Sequence, residues 1–383
     1  MNNLKPSFLS SDGSLSVHAG ERLRRDMKTS SITTPVVNTT TYFFKDTTEL
    51  IDFKEKRIDL YEYARYGNPT TMALEEKISA LEGAESTLVM ASGMYASNVM
   101  LLALVPTNGH IVATKDCYKE TTIFMENFLT KLGITVTFID SDDIAGLKTL
   151  VNNHEVSLFF TESPTNPRGT LVCIDATIAT PINQKTLALG ADLVHHSATK
   201  YIGGHNDVLA GSISGSMELV SKIRNLHKLL GGTLNPNAAY LLIRGMKTMH
   251  LRVRQQNSTG MKMAQVLEAH PKVSRVYYLG LPSHPEHLIA KRQMTGIGGL
   301  VSFEIDGDLK TTIKFIDALK IPYLAASFGG CESLVDQLAT GIWDIPREER
   351  LKDGFQDNLV RFSFGIEDFE DIKADVLHAL ETI

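Results

Sequence analysis

At 383 residues, 43% hydrophobic and 21% charged, the sequence has an ordinary globular composition and enough chain for two core-forming units. A formal charge of −6 leaves no basic footprint for nucleic acid, and no apolar run approaches the roughly 18 residues of a membrane span. Cys117, Cys173 and Cys331 are far apart and odd in number; they give neither a zinc spacing nor a disulfide framework and fit a reducing compartment.

The start, MNNLKPSFLSSDGSL, has no apolar signal core and is too poor in arginine for a transit peptide. Residues 1–50 end in SSITTPVVNTTTYFF, rich in Ser and Thr with little helical period, and are expected to form an extended arm. From TTMALEEKISALEGAEST the pattern turns helical, with Leu74, Ile78 and Leu81 on one face. In MASGMYAS, Ser92, Gly93 and Met94 stand where a turn opens into a helical pattern. Backbone N–H groups at such a start can cradle an anion, although most Ser-Gly pairs there are plain caps.

The apolar runs HIVATKD, ITVTFID, VSLFFTE, TLVCID and ADLVHHS then alternate with helical stretches. That alternation predicts a mostly parallel sheet in an α/β domain over 51–246, with ligands beyond the carboxyl ends of its strands. Asp175 closes TLVCID, so its carboxylate is expected at such an end; the competing reading is a turn or cap residue.

In HSATKYIGGHNDVLAG, Lys200 lies among Ser197, Thr199, Gly203 and Gly204, the setting of a lysine held against a ligand rather than solvated. A cofactor with both a phosphate and an aldehyde would use the anion cradle and the lysine together. His195, His196 and His205 lack the i, i+4 spacing of a metal motif and are expected to be hydrogen-bonded structural histidines, with no metal site. No G-x-G-x-x-G follows a strand, since TGIGGLVSF precedes one, and no P-loop is present, which argues against nicotinamide hydride transfer. Beyond the helical stretch ending near LLIRGMKT, the strand-like LVSFEID and LVRFSFG interleave with helices, an α+β pattern expected over 247–383. Cys331, in SFGGCES, reads as a small packed residue.

SATKYIGGHNDVLAG resembles the lysine signature of the Cys/Met-metabolism pyridoxal phosphate enzymes, the cystathionine γ-synthase family. VHAGERL, ITTPVVNTTTYFF, YEYARYGNPTT, LEGAESTLVMASGM, FFTESPTNP, LGGTLNPNAAYLLIRGMKT and NLVRFSFGIED follow in family order through nearly the whole chain, most similar to the plant branch. The resemblance implies an aspartate-aminotransferase-like fold (fold type I) and pyridoxal 5'-phosphate attached to Lys200, whose freed amine is the general base. It assigns the phosphate to Ser92, Gly93, Met94, Ser197 and Thr199, with Tyr63 and Arg65 reaching it from a neighbouring subunit. Tyr118 stacks on the ring, Asn166 meets the ring hydroxyl and Asp175 meets the ring nitrogen. Arg361 clamps the substrate α-carboxylate, with Ser327 near the lysine and substrate; Lys200, Tyr118 and Tyr63 are the catalytic set. The implied partners are amino-acid substrates and further copies of the chain, as tetramers of active-site-sharing dimers. Neither nucleic acid nor a membrane is implied. The implied reaction is γ-replacement, joining cysteine to an activated homoserine ester, O-phosphohomoserine in the plant branch, to give cystathionine on the route to methionine. Cystathionine or methionine γ-elimination is the alternative; Ala326 stands before Ser327 where several lyases carry Glu, which favours the synthase. The plant branch implies the plastid stroma, and otherwise the cytoplasm.

The chain departs from the family in one large respect. ESPTNPRGTLVCID joins two strands directly, roughly sixteen residues short of the family pattern, where a parallel crossover normally takes at least about 10–12. Either the connection is stretched and the sheet face partly bare, or SPTNPRG makes a hairpin that carries Asp175 to the wrong end and leaves an impaired homologue. YKETT also puts Thr122 where related enzymes carry Arg, with Glu120 adding negative charge and Lys115 or Lys119 as the available cations.

Overall fold

The computed structural model describes residues 11–21, 31–153, 156–162, 170–352 and 354–383. Local sequence accounts for the first long helix, Pro69–Glu82. Pro69 opens it, Asn68 Oδ1 accepts the Thr70 N–H at 2.8 Å, and Gly83 ends it at φ +70°. Leu74, Ile78 and Leu81 are buried, as their helical spacing predicts. A short helix, Asp12–His18, lies within the stretch read as an extended arm.

Seven strands form a sheet in the first unit: β1 (Ser86–Met90), β2 (His110–Thr114), β3 (Thr135–Ile139), β4 (Val156–Thr161), β5 (Leu171–Asp175), β6 (Leu193–Ser197) and β7 (Gly211–Gly215). Their order is β1-β7-β6-β5-β4-β2-β3, and β7 alone runs antiparallel to its neighbours. Both faces are apolar because successive residues turn to opposite sides. Ile111, Ala113, Leu158 and Phe160 enter one core cluster; Val112, Phe159, Val172 and Ile174 enter another.

The pairing of β4 with β5 decides the question raised by the short connection. The two are parallel, with Leu158 beside Leu171 and Thr161 beside Ile174, so the hairpin reading is wrong. Residues 163–169, including Asn166, lie outside the described residues. Eight Cα steps from Glu162 to Thr170 reach at most roughly 29 Å, and running back along a five-residue strand needs only about 17 Å. Nor is this part of the sheet bare: Phe159, Val172 and Ile174 are buried. Asp175 therefore ends its strand at the carboxyl edge.

The second unit takes Thr177–Gln184, Lys200–Asp207 and Thr248–Ile383, while Met1–Ala176, Lys185–Thr199 and Val208–Lys247 make the first. Lys200 thus opens a stretch that belongs to the second unit, directly after Thr199 of the first. The second sheet holds β8 (Val273–Tyr277), β9 (Leu300–Ile305), β10 (Tyr323–Leu324), β11 (Leu334–Gln337) and β12 (Leu359–Ser363), in the order β10-β11-β12-β9-β8. Val301, Phe303 and Ile305 alternate into its core with Val360 and Phe362. The same period of two sends Arg361 to the opposite face, beside its register partner Asp336.

Candidate active site

In the first unit the strand ends converge in chemistry. Ser92 caps helix Gly93–Leu104, its Oγ accepting the Tyr95 N–H at 3.0 Å, and Gly93 and Met94 supply the next N–H groups. Ser197, at the end of β6, lies against the same turn: a Cβ on Gly93 would stand 3.0 Å from the Ser197 Cβ. Gly211 is needed for a similar reason, since a Cβ there would come within 2.2 Å of the Ser92 carbonyl oxygen. The Thr199 hydroxyl is engaged by backbone, accepting the Ala210 N–H at 3.0 Å and donating to the Ala210 carbonyl at 3.2 Å.

Asp175, at the end of β5, accepts a hydrogen bond from His195 Nδ1 at 2.8 Å. After β4, Glu162 Oε1 accepts the Tyr118 N–H at 2.7 Å, and Tyr118 precedes helix Lys119–Asn127 with its side chain exposed. Burial, and then the Asp175 charge, raise the Glu162 pKa to about 8. Tyr63 pairs in a bridge with Thr41 and is exposed. Arg65 donates to the Lys228 carbonyl at 2.5 Å, and its guanidinium lies 5.6 Å from the Tyr63 ring centroid and 4.9 Å from that of Tyr66.

In the second unit Lys200 Nζ donates to Ser327 Oγ at 2.6 Å and sits 5.1 Å from the Phe328 ring centroid. Loss of water, and then the Arg361 charge, lower the Lys200 pKa. Ser327 has φ +91°, a left-handed backbone unusual for a residue with a side chain. Gly329 follows at φ +82°, where a Cβ would stand 2.9 Å from the Tyr201 ring. Arg361 Nη2 donates to Asp336 Oδ2 at 3.0 Å, which leaves the remaining guanidinium donors for a second carboxylate.

Two groups here were missed by the sequence reading. His195 looked like one of several structural histidines, and Glu162 like an ordinary residue before a turn. The signal for His195 is the register that sets it beside Asp175, which requires the strand order first.

Each unit by itself holds groups that suit pyridoxal phosphate: the first a carboxylate held by an imidazole and a helix start closed by glycine against β6, the second an amine shifted towards its neutral form. With the mostly parallel sheet they are the marks of an α/β enzyme that uses an anionic cofactor. The match to a family model over residues 13–381 makes this specific: the chain belongs to the Cys/Met metabolism PLP-dependent enzymes. It is 94% identical over 380 aligned positions to a probable cystathionine gamma-synthase 2 of Arabidopsis thaliana, covering 95% of this chain and 92% of that protein. It is 74% identical over 396 positions to the chloroplastic cystathionine gamma-synthase 1 of Arabidopsis thaliana, covering 99% and 70%. The latter alignment is longer than this chain of 383 residues, so that relative has positions with no counterpart here. The crystal structure of metB from Corynebacterium glutamicum superposes with a TM-score of 0.88 at 34% identity, covering 97% of this chain and 98% of that one.

Proposed function

We propose that this chain is a cystathionine γ-synthase that joins the sulfur of cysteine to the γ-carbon of an activated homoserine ester, in methionine biosynthesis. The observation that carries the reading is the Lys200 amine, drawn out of water against Ser327 and lowered in pKa by burial and Arg361. The similarity to plant synthases supports the choice of reaction. Bound pyridoxal phosphate supplies an electron sink that acidifies the substrate's α- and then β-carbon. Lys200 would carry the cofactor, and its free amine would hold and move those protons, a task suited to an amine of depressed pKa. Asp175 would meet the ring nitrogen, and Ser92, Gly93, Met94, Ser197 and Thr199 would hold the phosphate. Thr199 acts through its placement, because its hydroxyl is already engaged with Ala210. Tyr118 would cover the ring, and Arg361 would hold the α-carboxylate with Ser327 beside it; Asn166, assigned to the ring hydroxyl by resemblance, lies outside the described residues.

Tyr63 and Arg65 serve the site of a neighbouring subunit in a homo-oligomer, and Phe43, 93% exposed, belongs to the same uncovered segment. No described helix is long and apolar enough to cross a membrane. A plastid location is supported by the relative named chloroplastic. The ester is O-phosphohomoserine, its anion met by Lys119, since Lys115 is paired with Asp140 at 3.0 Å.

Purified protein supplied with O-phosphohomoserine and cysteine is expected to release phosphate and form cystathionine, with little 2-oxobutanoate. Release of 2-oxobutanoate at an equal rate with and without cysteine would replace the synthase with a lyase. No turnover of either kind by protein that binds the cofactor would identify an impaired homologue.

A further inference from the structure

β5 and β6 set Asp175 and His195 side by side, and His195 is buried with 4% of its surface exposed. Its Nδ1 is 2.8 Å from Asp175 Oδ2, and its Nε2 is 2.9 Å from the carbonyl oxygen of Gly93. A carbonyl oxygen only accepts, and an ionised carboxylate only accepts. With Asp175 ionised, both hydrogen bonds can be made at once only when each ring nitrogen carries a proton.

We propose that His195 is held as an imidazolium clamp that ties Asp175 to the first turn of helix Gly93–Leu104, fixing the carboxylate in its ionised form for the pyridine nitrogen. This rests on the cofactor reading above. His195 is a positioning residue: it acts on the ring through Asp175 and on the phosphate turn through Gly93. One side chain thereby sets the spacing between the two groups assigned to opposite ends of the cofactor.

The electrostatics agree. Burial alone would lower the His195 pKa, but the Asp175 charge, its hydrogen bond and the Gly93 carbonyl outweigh burial and raise it. Asp175 and the high-pKa thiol of Cys173 lie on β5, Glu162 follows β4, and β7 presents Ile213 as the register partner. A raised histidine pKa means that the clamp is complete at low pH and is lost as pH rises through the folded value. Glu162 titrates near 8, so its ionisation adds a negative charge that holds the imidazolium further into alkaline solution.

The test uses full-length protein freed of cofactor, with nitrogen-15-labelled histidine, and pyridoxine 5'-phosphate as probe. That compound has the ring and the phosphate but no aldehyde, so Lys200 chemistry does not enter. Nuclear magnetic resonance is expected to show His195 doubly protonated at pH 7.5, with both N–H protons protected from exchange. His195→Leu is expected to weaken pyridoxine phosphate about ten- to a hundredfold, and His195→Gln, which restores a single donor, to recover part of the loss. Wild-type affinity should fall as pH passes the His195 titration, and the Leu variant should lack that inflection. A folded wild type with neutral His195, or a Leu variant that binds as well as wild type, overturns the clamp. An imidazolium in a protein that does not bind the probe would instead refute the cofactor reading and leave the hydrogen-bond assignment standing.

Discussion

Replacing Ser327 by alanine and, separately, by glycine divides two contributions that the native residue combines. Its Oγ accepts from Lys200 at 2.6 Å, and its backbone is held at φ +91°. A hydrogen bond from a charged donor contributes about 1.5–3 kcal/mol, and the lower end applies to this half-buried pair. The left-handed backbone costs a residue with a Cβ about 1–3 kcal/mol, a cost glycine avoids in part because it gives up more chain entropy on folding. Alanine loses the bond and keeps the strain, so the cofactor-free variant should melt about 3 °C below wild type. Glycine loses the bond and sheds strain worth about 1 kcal/mol net, so it should melt within about 1 °C of wild type. Both variants remove an acceptor that favours the ammonium form. The pH midpoint for attachment of pyridoxal phosphate, followed by absorbance, should therefore fall in each. An alanine variant as stable as the glycine variant would refute the strain argument. An unmoved midpoint would show that the hydroxyl does not govern the amine.

Arg361→Lys keeps a charge beside Asp336 but loses the planar fork, so KM for the amino-acid substrate should rise about ten- to a hundredfold with the fold intact. A change under about threefold in steady-state kinetics would remove Arg361 from the carboxylate site. Lys77 is fully buried and donates to the Ser16 and Val17 carbonyls and to Glu21. Lys77→Ala should cost about 2–3 kcal/mol in denaturant titration, because it removes the donor to both carbonyls and to Glu21 Oε2 while Lys247 stays on Glu21 Oε1 at 3.0 Å; a loss under about 1 kcal/mol would contradict that. Burial, then Arg224 and Lys228, lower the His227 pKa to about 4. The folded value lies below the unfolded one, so unfolding takes up a proton between about pH 6.5 and 4 and stability falls as pH falls through that window. His227→Leu should flatten the acid side of the Tm–pH curve, and an unchanged slope would show that His227 is not the group responsible.

The strands of the first sheet were legible because they are buried on both faces: TLVCID and VSLFFTE are continuous apolar runs with no competing helical period. Their pairing was less legible. Nothing in SPTNPRG distinguishes a tight reversal from a stretched return, and only the neighbours of β5, which is parallel to both β4 and β6, decide the direction. Lys200 stood out because small and hydroxyl residues around a lysine conflict with its usual solvation. The Arg361–Asp336 pair did not, since it joins residues on two strands whose register no local pattern fixes. His195 was hidden by the same alternation that built β6: adjacent histidines turn to opposite faces, His195 to Asp175 and His196 to Glu82. Which of two identical residues faces the ligand edge is a question of strand order, not of composition.

Attachment of the cofactor to Lys200 is open to direct chemical reading. Protein loaded with pyridoxal phosphate is reduced with borohydride, digested, and its peptides weighed. A phosphopyridoxyl group on the peptide containing Lys200, absent from Lys200→Ala, is the predicted result. The same group found on a different lysine, or on none in folded protein at saturating cofactor, would contradict the assignment.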